Sequence, residues 1–104
     1  MAARSHDWME DAFRWIRVAR ERIDEAKNRA DRGDCDAALM LVSHATEDRG
    51  LAVAYAHVAG VSTDASTRAE AAAKNPRARD FYDRWERMSQ QVGAVQRACQ
   101  RRGA

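Results

Sequence analysis

The stretch Trp8-Met9-Glu10-Asp11-Ala12-Phe13-Arg14-Trp15-Ile16-Arg17-Val18-Ala19-Arg20-Glu21-Arg22-Ile23-Asp24-Glu25-Ala26-Lys27-Asn28-Arg29-Ala30 decides the fold. Its apolar positions Trp8, Ala12, Ile16, Ala19, Ile23, Ala26 and Ala30 are spaced 4, 4, 3, 4, 3 and 4. That rhythm follows an α-helix, whereas a strand alternates residue by residue. Opposite charges one turn apart fall on the remaining surface: Glu10 with Arg14, Arg17 with Glu21, Arg20 with Asp24 and Glu25 with Arg29. The segment reads as one long amphipathic helix, capped at Ser5 and stopped near Arg32 and Gly33. Phe13 and Trp15 widen its apolar face near the start.

The short turn Asp31-Arg32-Gly33-Asp34 leads into a second helix, capped by Asp34 or Asp36 and ending near Gly60. So tight a connection makes the two helices antiparallel neighbours. The second is the most apolar in the chain. Ala38, Leu41, Val42, Ala45, Ala52, Tyr55, Ala56 and Ala59 share one face, and Leu39, Met40, Leu51, Val53 and Val58 are spread round the rest. A rod apolar on all sides is expected at the centre of a bundle. Thr67 with Glu70 fits a capping box opening a short Ala-rich helix that ends by Asn75. Asn75 and Pro76 then supply the N-cap and first position of a last helix. Its seam of Phe81, Trp85, Met88, Val92, Val95 and Cys99 is spaced 4, 3, 4, 3 and 4, and Gly93 inside it suggests a close helix contact. The expected fold is all-α, a small antiparallel up-down bundle of three long helices plus one short helix, forming a single domain over residues 1–104.

Composition bounds the function. With 45% hydrophobic and 33% charged residues the chain reads as globular, and since many of the hydrophobic residues are Ala, the core should be thin. No apolar run approaches membrane-spanning length and no apolar leader opens the chain, which points to a cytoplasmic protein with no membrane partner. Cys35 and Cys99 have no second thiol or His at ligand spacing, so both read as buried or partly buried thiols, outside any disulfide framework or zinc site. The net charge of +2 hides a gradient: residues 1–73 hold 10 basic and 13 acidic side chains, residues 74–104 hold 8 and 3. An anionic partner therefore belongs to the last third. Arg77, Arg84, Arg87 and Arg101 form a row there that a nucleic acid could follow, although Asp80, Asp83 and Glu86 interrupt it.

The second helix carries the chain's one polar interruption, containing His44, Glu47, Asp48 and Arg49. On a helical wheel Asp48 and Arg49 fall on opposite edges of the inward stripe, so each needs a partner on another helix or across a dimer interface. These four residues form the candidate polar binding patch, and Trp8, Phe13 and Trp15 are the candidate interface anchors. Neither the Glu-x-x-His units of a bundle metal site nor a phosphate loop nor a nucleophile with a spaced His is found in the sequence. No catalytic residue, metal or cofactor is expected.

From Ala19 to Ala26 and again from Ala37 through His44, Glu47 and Tyr55 to Gly60, the chain resembles the helical hairpin of the HEPN superfamily. The resemblance implies a four- or five-helix bundle and a habit of dimerising. Catalytic members carry an Arg followed within a few residues by His, usually on the last long helix. Here no His follows Pro76, and the nearest pair, Arg49 and His57, is too widely spaced and sits on the second helix. The resemblance thus implies a HEPN-like bundle without nuclease activity. The sequence as a whole reads as a non-enzymatic interaction module, a homodimer binding a further macromolecule, with a protein partner favoured. The alternatives are a HEPN-like ribonuclease using His44, Asp48 and Arg49, or nucleic-acid binding through the basic last helix.

Overall fold

The computed structural model describes residues 6–62 and 64–103, with backbone alone at 65–67, 102 and 103. They form α1 (Trp8–Asp31), α2 (Cys35–Val58), α3 (Ala65–Lys74) and α4 (Pro76–Gly103), with no strand among the described residues.

Local chemistry sets each boundary. The Asp7 carboxylate accepts from the backbone N–H of Glu10 and caps α1, while Ser5 lies outside the described residues. Gly33, at φ 83°, takes the left-handed conformation that closes the turn, and the Asp34 side chain caps α2 by accepting from the N–H of Ala37. α3 begins earlier than the capping-box reading, at Ala65, which puts Thr67 inside the helix; its side chain lies outside the described residues. Asn75 Oδ1 accepts from the N–H groups of Arg77 and Ala78, so Asn75 and Pro76 start α4 as the residue types require.

Packing follows the seams. Ala12, Ala19 and Ala26 recur every seven residues on α1, as do Ala38, Ala45 and Ala52 on α2, and all six are fully buried. α1 and α2 pack on each other more extensively than any other pair of helices, with both alanine rows buried. Methyl groups along both rows let the two backbones approach closely. The stacked rings of Trp8 and Tyr55 and the ion pair from Arg22 to Asp48 lie along this seam. α4 follows α1 in the same sense, with Arg77 at Asp7, Phe81 edge-on to Phe13, and Val95 and Ala98 beside Ile23 and Ala30. α3 rests on the first half of α4, where Arg68 pairs with Glu86 and lies over Tyr82 and Trp85.

Three expectations need correction. α2 is not a rod covered on all sides: α1 and α4 both pack on its inner face and its outer face is open. Cys35 and Cys99 are not separate thiols but form a disulfide joining the start of α2 to the last turns of α4. Gly93 marks no helix crossing, because a Cβ there would meet only the guanidinium of Arg97 on the same helix, at 3.0 Å.

The resulting shape is a slab of 59 × 30 × 15 Å. Its radius of gyration is 15.9 Å, against about 13 Å for a compact domain of this length. Its accessible surface is 6900 Å², against about 5900 Å² for a folded monomer of this mass.

Candidate interaction surfaces

The polar interruption of α2 divides three ways instead of forming one patch. Asp48 is buried and its Oδ2 lies 2.7 Å from Nε of Arg22 on α1. The approach is off-line, so Arg22 Nε and Asp48 Oδ2 are in charge contact without an aligned hydrogen bond. Arg22 Nη1 also reaches Nδ1 of the exposed His44 at 3.3 Å; because guanidinium only donates, Nδ1 is the acceptor in this contact. Arg49 turns the opposite way, donates to Ser89 Oγ on α4 and lies 5.0 Å over the Trp85 ring. Burial among these groups lowers the pKa of Arg49. Glu47 faces solvent. Asp48 and Arg49 therefore bind α2 to its two neighbours, and His44 and Arg49 do not converge on a common point.

The aromatic anchors are also divided. Trp8 is 39% exposed, stacked on Tyr55 and edge-on to His6. Phe13 is capped by the guanidinium of Arg84 and by the edge of Phe81, and Trp15 is partly buried against the core. Near this end the buried Asp11 carboxylate is held by His6 and Arg14, so Arg14 serves Asp11 and not Glu10.

The basic row of the last helix breaks up in the same manner. Arg77 is occupied by Asp7 at 3.1 Å and Glu10 at 3.8 Å, and its guanidinium holds the Asp7 carboxyl below the usual carboxylate range. Arg101 is exposed near the far end of α4, more than three turns beyond Arg87. Arg84 and Arg87 come together with two residues that sequence reading placed only in pairs along α1, Arg17 and Arg20. The four line one groove over Ile16 and Met88. Of the pairs expected along α1, Glu25 with Arg29 forms at 2.9 Å, whereas Arg17 with Glu21 and Arg20 with Asp24 are not among the ion pairs of the described residues.

The outer face of α2 carries apolar side chains with no cover. Met40 is 63% exposed, Val58 61%, and Leu39 and Leu51 42% each. Met40, His44, Glu47, Leu51, Ala54 and Val58 run along this face at spacings 4, 3, 4, 3 and 4, a second helical seam. Beside it, a Cβ on Gly50 would meet nothing within 4 Å.

Among the described residues no group of three or more His, Cys, Asp or Glu is placed to hold a metal ion, and no helix is long and apolar enough to cross a membrane. No protein-family model, curated protein or solved structure matches the chain.

Proposed function

We propose that the protein is a non-enzymatic interaction module, a small up-down antiparallel bundle that forms a homodimer through the outer face of α2 and binds a further protein. The observation that carries this is the uncovered seam from Met40 to Val58, with Met40, Leu51 and Val58 exposed on the most apolar helix of the chain. A helix of that composition belongs between two packed layers, and the chain itself supplies only one. The accessible surface exceeds that of a typical monomer by about 1000 Å², close to the ~800 Å² that each partner contributes to a standard interface. In an antiparallel pair about a two-fold axis level with Arg49, Met40 meets Val58, His44 meets Ala54 and Glu47 meets Leu51 of the second copy. Gly50 near the axis permits close approach.

Sedimentation velocity at micromolar concentration tests this directly. Wild-type protein is expected as a dimer and Leu51→Glu as a folded monomer, since Leu51 faces solvent within one chain. A wild-type monomer at tens of micromolar overturns the proposal.

The HEPN-like relationship stays a proposal supported by the residues of the α1–α2 hairpin. A ribonuclease built on His44, Asp48 and Arg49 is disfavoured by their separation: Arg49 is engaged with Ser89 and Trp85 while His44 and Asp48 face Arg22. A cytoplasmic location is likewise proposed from the sequence. Reducing conditions there would keep Cys35 and Cys99 as thiols unless the bridge resists them, and thiol trapping of the protein in native extract reads which form is present.

A further inference from the structure

We infer that the groove between α1 and α4 is a docking site for a short acidic segment of a protein partner, held by Arg17, Arg20, Arg84 and Arg87. The inference rests on the reading of the chain as a protein-binding module, but uses a face distinct from the dimer seam. Arg17 and Arg20 from α1 and Arg84 and Arg87 from α4 line one shallow groove, beneath which Ile16 and Met88 are buried. Arg84 is paired with Asp80 at 2.9 Å, whereas Arg17, Arg20 and Arg87 take part in no ion pair among the described residues. Like charges gathered at one spot repel, and a ligand bringing carboxylates relieves that repulsion while gaining forked guanidinium–carboxylate hydrogen bonds.

The surroundings choose between anions. The belt is short: at one end Asp7 and Glu10 are paired with Arg77, and beyond the other Asp24, Lys27 and Asp31 line the neighbouring groove. A nucleic-acid backbone extended along the groove would run out of the arginine belt into stretches of mixed charge on both sides, whereas a short segment stays within it. Single-stranded nucleic acid also needs open aromatic faces for its bases. No aromatic ring lines the groove among the described residues, and Phe13, beside Arg84, is covered by that guanidinium and by Phe81. A short peptide presenting acidic side chains fits a belt of this length, and an apolar side chain between them can lie along the aliphatic stems of the arginines.

The test is fluorescence anisotropy on the full chain with a short labelled peptide alternating Glu and Leu, its Gln-for-Glu counterpart, and an oligothymidylate of equal charge. The acidic peptide should bind, weaken as salt is raised, and lose about tenfold or more in affinity with Arg17→Glu/Arg87→Glu. The Gln peptide should not bind and the oligonucleotide should bind more weakly. An oligonucleotide that binds as tightly as the peptide overturns the inference, as does failure of the acidic peptide to bind or an affinity unchanged by the double substitution. If circular dichroism shows that variant unfolded, Arg17→Gln/Arg87→Gln takes its place with the same expected loss. Peptide binding by Leu51→Glu should equal wild type whatever its oligomeric state, so failure of the dimer and failure of this site are read separately.

Discussion

Removing the Cys35–Cys99 bridge should be a large destabilisation, because it cuts the covalent tie between the start of α2 and the end of α4. The bridge spans a sequence separation of 64 residues, and closing a loop of that length removes about 4 kcal/mol of unfolded-state entropy at room temperature. A domain of this size holds about 5–15 kcal/mol in all, so the loss is a large share. The location sharpens the expectation. Beside the bridge, α1 and the end of α4 are separated by an apolar groove of about 220 Å³ lined by Ile23, Ala30, Val95 and Ala98, so packing there is incomplete. Urea denaturation followed by far-UV circular dichroism, with and without reductant, gives the difference. Cys35→Ser/Cys99→Ser should match the reduced wild type and be indifferent to reductant. Amide exchange should quicken over the last turns of α4 while the alanine seam of α1 and α2 stays protected. A loss below about 1 kcal/mol, or quickened exchange spread evenly over all helices, would refute the reasoning.

Ala19→Leu should cost about 1–3 kcal/mol or more, because a fully buried methyl position between closely approaching helices has no room for added carbons; the urea midpoint measures it. Arg22→Ala strips the buried Asp48 carboxylate of its charge partner and should cost about 1–3 kcal/mol, with Asp48→Asn in the same background recovering part of it. Arg77 holds the Asp7 carboxyl below its ordinary pKa, so this contribution is present above about pH 4 and is lost as pH falls through the depressed value. A carboxyl titration by NMR should show Asp7 with a midpoint below the ordinary carboxylate value, rising in Arg77→Ala.

Much of the fold was legible because α1 and α4 wear their periodicity openly: Ile16, Ile23, Phe81, Met88 and Val95 were read as inward and are buried. α2 misled for a physical reason. Periodicity tells which residues avoid water only when another face seeks it, and α2 has too few polar side chains to mark an outside. Cys99 was correctly assigned to a buried seam, yet its pairing with Cys35 depends on the register of α4 against α2, which no local pattern encodes. Asp48 and Arg49 were rightly placed on the edges of the inward stripe, and each has a neighbouring-helix partner as their burial demands. Arg17 and Arg20 looked like members of one-turn charge pairs along α1. Only the side-by-side placement of α1 and α4 shows that they share a groove with Arg84 and Arg87.

Asp48 and Arg49 are consecutive residues grasping different helices, one through Arg22 and the other through Ser89. A slip of α1 by one turn strains the first grip, and a slip of α4 strains the second. α2 thereby acts as a gauge block, fixing the relative height of two rods that meet each other on its inner side. The alignment of arginines across the α1–α4 cleft is consequently set from behind, by side chains that never enter it.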